Sequence, residues 1–176
     1  HWPASFTLCV PDTWRSGDYV AKMQVADFGG AFTHRSHRTA EGALFFVVRS
    51  AQPGQNTKIL IQLATNSYNA YNNWGGFSLY AFHGRSNLQG HRVSFNRPLT
   101  GFFNSWERPF VAWAERNGYV LDYATNTDIE FYPELLQHYK LVLSVGHDEY
   151  WSAGMRDNLE SFITNGGNAA FFSGNS

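Results

Sequence analysis

The chain has 176 residues, 43% hydrophobic and 17% aromatic, with a formal net charge of −1. That length suits one domain with a sizeable core, and the composition is far from that of a disordered segment. A charge so near zero removes the electrostatic case for a nucleic acid or an anionic membrane as partner. The densest basic group, Arg35, His37 and Arg38, falls in one polar stretch and reads as a solvated loop. Apolar runs such as Ala43–Val48 and Leu141–Val145 are far too short to span a bilayer, and no signal peptide is visible. Cys9 is the single cysteine, which excludes an internal disulfide or a cysteine zinc site and suits a reducing, cytoplasmic setting.

In chain order, Asp18–Val25 and Ala43–Arg49 are rich in Val, Phe and Tyr and read as strands, with a polar stretch from Gly29-Gly30 to Gly42 between them. Pro53-Gly54 marks a turn, so residues 1–54 form an N-terminal β segment and 55–176 a strand–helix alternation. Lys58–Ala64 is a short apolar strand, followed by Thr65–Gly76, a polar loop dense in amides and phenols. Ser105 is placed to cap a helix running to about Asn117, with Phe110, Trp113 and Ala114 at helical spacing and Gly118 as its stop. Tyr119–Tyr123 reads as a strand, Pro133–His138 as a short helix and Lys140–Val145 as a buried strand. Ser152 caps a further helix whose apolar face is Met155, Leu159, Phe162 and Ile163, and Asn168–Ser173 is the last strand.

Such alternation predicts an α/β fold with a mainly parallel sheet and right-handed crossovers. Ligands in open sheets of this kind bind beyond the carboxyl ends of the strands. Thr65–Gly76, Gly146–Trp151 and Gly174–Ser176 all fall there. His147, Asp148 and Glu149 follow the most apolar strand directly, and three ionisable groups in succession are costly there unless paired, solvated or bound. One carboxylate could cap the next helix, but that leaves the others unexplained. The strand-to-helix turns carry neither a cysteine nor Gly-x-Ser-x-Gly, and no phosphate-binding glycine motif occurs, which argues against a nucleophilic triad and a nucleotide cofactor. Tyr19, taken alone, reads as a core or edge aromatic of its strand.

Several blocks, in this order, resemble the C-terminal domain of the N,N-dimethylformamidase large (beta) subunit. They are Trp14-Arg-Ser-Gly-Asp-Tyr19, Asn69-Ala-Tyr-Asn-Asn-Trp-Gly-Gly76 within Thr65–Tyr80, Val93-Ser-Phe-Asn-Arg-Pro98, Trp113 through Gly118-Tyr119, and Thr127-Asp128. Val145-Gly-His-Asp-Glu-Tyr-Trp-Ser152 is the most specific, and Gly166-Gly-Asn168 and Ser173-Gly-Asn175 close the set. The resemblance implies a glutamine-amidotransferase-like α/β fold and a mononuclear, ferric iron held by two tyrosines and one glutamate. By motif, Glu149 is the carboxylate ligand and Tyr19 the first phenolate. The second is Tyr71 or Tyr68, with Tyr71 favoured because Ala70-Tyr71-Asn72 is the core of its block. His147 and Asn175 would be catalytic groups beside the metal. The implied reaction is hydrolysis of a small amide, the iron acting as a Lewis acid and holding as anions phenols whose ordinary pKa is about 10. The family domain is expected to extend past this chain, which implies an oligomer or association with the remainder of that domain. A non-catalytic binding module of the same fold is the alternative.

Overall fold

A computed structural model describes residue 4 and residues 6–24, 41–98 and 102–175. Among these the elements run β1 (Gly17–Gln24), β2 (Glu41–Val48), β3 (Ile59–Leu63), α1 (Thr65–Tyr71), α2 (Glu107–Arg116), β4 (Asp122–Thr125), α3 (Asn126–Phe131), β5 (Leu141–His147), α4 (Ala153–Thr164) and β6 (Asn168–Gly174). The basic group Arg35, His37 and Arg38, and most of the polar stretch around it, lie outside the described residues.

β1 and β2 form an antiparallel pair in register from Gly17 opposite Val48 to Gln24 opposite Glu41. The other four strands make one wholly parallel sheet in the order β4-β3-β5-β6. Near-continuous apolar runs such as Ile59–Leu63 arise because helices cover both faces of such a sheet. Ile61, Leu63, Leu143 and Val145 point to one side and bury against Val111 and Ala114 of α2 and Tyr68 of α1, with Phe45 and Val47 of β2 packed on the same cluster. Leu60 and Val142 point to the other and bury against Ile129, Leu136, Met155 and Leu159. No helix among the described residues is long and apolar enough to cross a membrane.

Three expectations shift. Thr65–Tyr71 is not loop but helix α1, although it has no side-chain cap. Its polar residues are paid for by tertiary bonds, since Ser67, Asn69 and Asn72 are all buried. β4 begins at Asp122, three positions later than expected, because Gly118 turns the chain at φ +82° and Tyr119 and Val120 stay exposed. Ser105 does not cap α2, which starts after Trp106. By contrast Ser152 does cap α4, its Oγ accepting from the Met155 amide at 3.1 Å. The sequence reading passed over α3, whose start is a reciprocal capping box between Thr125 and Asp128.

The strand order places the site. From β3 the chain crosses to β4 on one side, and from β5 it crosses through α4 to β6 on the other. The winding thus reverses between the two central neighbours β3 and β5, and in open parallel sheets ligands bind beyond the carboxyl ends of the strands at such a point.

Candidate functional site

Gly146 sits at φ +90° just before the end of β5, where a Cβ would lie 2.6 Å from Trp106 Cβ. Only glycine fits a positive φ with so close a neighbour. Beyond it the side chains part: Asp148 is buried, accepting from Gln62, from Ser144 Oγ at 2.8 Å and from Asn126 Nδ2 at 3.3 Å. His147 and Glu149 instead stay partly open to solvent.

Helix α1 is pinned to this turn. Ser67 Oγ accepts from the Glu149 amide at 2.8 Å and the Tyr150 amide at 3.3 Å, and Asn66 Nδ2 donates to Tyr150 O at 3.1 Å. One helical turn after Ser67, Tyr71 arrives over Glu149. The Tyr71 hydroxyl donates to Glu149 Oε2 at 2.8 Å, and the Tyr80 hydroxyl donates to the same oxygen at 2.6 Å. His147 Nε2 lies 3.0 Å from that oxygen and 2.9 Å from the Tyr71 hydroxyl. The Tyr71 and Tyr80 rings stack at 4.1 Å, and Phe102, His83 and Tyr150 stand edge-on around them. Two phenols and an imidazole thus converge on one carboxylate oxygen, beyond the carboxyl end of β5.

The whole chain, residues 1–176, matches the family described as N,N-dimethylformamidase beta subunit-like, C-terminal. It belongs to that family. The N,N-dimethylformamidase beta subunits of Paracoccus aminophilus and of an Alcaligenes species are each 25% identical to it over 218 aligned residues, covering 99% of this chain. The chain spans 27% of the length of these curated relatives.

Of the residues expected to hold or serve a metal in this family, the structure brings Tyr71, His147 and Glu149 into bonded contact. Asn175 follows β6 at the same edge, one residue past the Gly174 that pairs with His147, and its side chain is exposed. Tyr19 is not brought to the group. It stacks between Trp14 and Phe46 at 4.7 and 5.7 Å, and its hydroxyl donates to Arg15 O at 2.8 Å, because β1 belongs to the separate antiparallel pair. Tyr68 is fully buried and donates to Glu107, so of the two candidates on α1 it is Tyr71 that reaches Glu149. Tyr80 was missed. Its signal was weak, a phenol at the very end of the Thr65–Tyr80 block.

Burial opposes ionisation of Glu149, yet the bonds from Tyr80 and Tyr71 and the nearby His147 together hold its carboxyl below the usual range. The same contact, after burial, raises both phenols. The resting cluster is therefore a carboxylate with protonated phenols around it. Among the described residues no three His, Cys, Asp or Glu side chains gather as a ligand set, so a metal at this site would draw on the phenols.

Beneath the site lies a second acid. Glu107 is fully buried, with Oε1 accepting from Tyr68 and Oε2 without a partner. Burial pushes its carboxyl up. A folded-state pKa above the unfolded one means that stability is lost as pH rises from the unfolded value, about 4.5, towards the folded one. Glu107→Gln, already neutral, should escape that loss. The melting temperature of the variant relative to the parent should rise as pH increases above about 4.5, and level off once the folded carboxyl has ionised. A difference that stays flat across this range would show that Glu107 is ionised in the folded protein.

Proposed function

We propose that this chain carries the metal-holding part of an amide hydrolase of the dimethylformamidase type, acting on a small C–N substrate. The carrying observation is the convergence of Tyr71, Tyr80 and His147 on a single oxygen of Glu149. The donor set fits a hard trivalent ion. Two phenolates and a carboxylate are three oxygen donors with three negative charges, and such ligands favour ferric iron over softer ions. Tyr71, Tyr80 and Glu149 would hold the iron, with Tyr80 in the place first expected for Tyr19. Bound there, it would supply Lewis acidity towards an amide carbonyl. The parallel four-stranded sheet and its winding reversal between β3 and β5 support the amidotransferase-like reading of the fold.

The chain's own residues account for the proton movements. His147 Nε2, 2.9 Å from the Tyr71 hydroxyl, is the nearest base outside the proposed iron ligands. The phenolic protons leave once, on metal binding; in each turnover the same ring is placed to take a proton from the attacking water and pass it to the leaving amine, which departs poorly as an anion. Asn175, at the same sheet edge, would orient the substrate through its amide. The aromatic walls from Phe102, Tyr80 and Tyr150 limit water around the reacting groups and favour a small substrate with an apolar face.

The test is metal loading. Purified without a histidine tag, incubated with ferric ion and desalted, the protein should retain about one iron per chain, the number one such donor set holds. It should also show the visible phenolate-to-iron absorption. A colourless, iron-free product with full native structure would overturn the reading and leave a binding module of the same fold.

A further inference from the structure

The block Val93-Ser-Phe-Asn-Arg-Pro98 has no part in the chemistry above, yet its arginine is tied to the segment that joins the two phenols. Arg97 Nη2 donates to Asn69 O at 2.9 Å and to Asn69 Oδ1 at 2.8 Å. Nη1 donates to Asn72 O at 2.9 Å, with Trp74 O and Phe77 O further off at 3.4 Å each. Nε donates to Ser94 O at 2.9 Å, and Asn72 Nδ2 returns a bond to Pro98 O at 2.7 Å. No ion pair among the described residues involves Arg97. The guanidinium is thus satisfied by carbonyls, the first of them Asn69 O, which also accepts from the Asn72 amide, and Asn72 O at the end of α1, a helix with no basic residue in its own last turn.

Of these acceptors, Asn72, Trp74 and Phe77 lie between Tyr71 and Tyr80 in sequence, and Asn69 lies two residues before Tyr71. The chain leaves α1 at Asn72, turns through Gly75 and Gly76 at φ +86° and +101°, and returns so that the Leu79 amide donates to Ala70 O at 2.9 Å. That bond joins the residues just before each phenol. The reversal has no strand partner, and its inward carbonyls at residues 72, 74 and 77 all face one guanidinium. A planar group with a fixed fan of donors can hold several carbonyls in one arrangement, which a lysine ammonium cannot.

We propose that Arg97 is a positioning residue that fixes the separation and stacking of Tyr71 and Tyr80. This rests on the reading of those phenols as the iron-holding pair, but its first test needs no metal. In the iron-free protein, ring-to-ring nuclear Overhauser contacts between Tyr71 and Tyr80 and slow hydrogen exchange at the Leu79 amide report the arrangement directly. Arg97→Lys should keep the fold by circular dichroism, lose those ring contacts and speed Leu79 exchange by about 10-fold or more, an opening of the local segment alone. Asn69→Ala, which removes one acceptor and leaves the arginine, should show a smaller change in the same direction and serves if the lysine variant does not fold. With iron, Arg97→Lys should weaken binding by about 10- to 100-fold, the usual worth of groups that orient ligands, and shift the visible band. Variants that melt earlier but keep the ring contacts and the Leu79 protection would overturn the proposal, leaving Arg97 an ordinary staple. A parent that binds no iron while the variants still lose the ring contacts would sink the metal reading and leave the positioning role standing.

Discussion

Glu149→Gln is expected to abolish the proposed iron loading and, with it, the proposed amide hydrolysis. The parent carboxylate is the focus of three polar groups, the donating Tyr71 and Tyr80 hydroxyls and the neighbouring His147 Nε2, all within 3.0 Å of Oε2. A glutamine at this position keeps an acceptor oxygen for the phenols, so the local packing should survive. What it removes is the full negative charge, which an amide does not replace at a hard cation. The loss in iron affinity should exceed the 10- to 100-fold of changes outside the ligand set, and the visible band should vanish at iron concentrations that colour the parent. His147→Ala gives the contrast. It removes a proton carrier rather than a charge, so iron should stay while turnover falls by about 10²- to 10⁴-fold. A coloured Glu149→Gln protein, or loss of iron from both variants alike, would break this division of labour. The measurement is iron content beside the visible spectrum.

The parallel sheet was legible because its signal is local. Runs such as Leu141–Val145 allow only a strand covered on both faces, and the Met155, Leu159 and Phe162 spacing allows only a helix. Strand order was not legible, since nothing in β4 says that it pairs with β3 rather than with β5. Helix α1 was misread for a physical reason. Its polar residues carry loop-like propensities, and what makes it helical is a set of partners distant in sequence, such as Asn126 Oδ1 for the Asn66 amide at 2.8 Å.

The site divided the same way. His147 and Glu149 stood out because ionisable groups at the end of a buried strand demand a reason, and Tyr71 because Ala70-Tyr71-Asn72 is the core of the block that carries the family resemblance. Tyr80 carried no such mark. It reaches Glu149 only because the chain doubles back between Ala70 and Leu79, which depends on the Arg97 contacts and on two glycines at positive φ. Tyr19 was chosen from a motif, and a motif does not say that β1 pairs only with β2, where the tyrosine stacks on Trp14 and Phe46.

Tyr80→Phe and Tyr19→Phe are therefore expected to behave oppositely. Tyr80→Phe keeps the ring that stacks on Tyr71 at 4.1 Å and removes only the hydroxyl bonded to Glu149 Oε2. Packing should change little, while one of the three oxygens of the proposed iron set is lost. Affinity for ferric ion should fall by at least about 100-fold, the upper end of what merely supporting groups cost, and the remaining colour should be weaker and shifted. Tyr19→Phe removes a single bond to Arg15 O at 2.8 Å and keeps both stacking partners. An exposed hydrogen bond of this sort contributes about 1 kcal/mol or less, so stability and colour should match the parent. Tyr68→Phe completes the series. It leaves the buried Glu107 without its donor and should lower the melting temperature, yet iron should stay. Iron titrations followed in the visible read all three against the parent. A bleached Tyr19→Phe beside a coloured Tyr80→Phe would return the ligand to β1 and require the antiparallel pair to sit over the site in the working protein. Bleaching by Tyr68→Phe alone would put the ligand one turn earlier on α1, with Glu107 rather than Glu149 beside it.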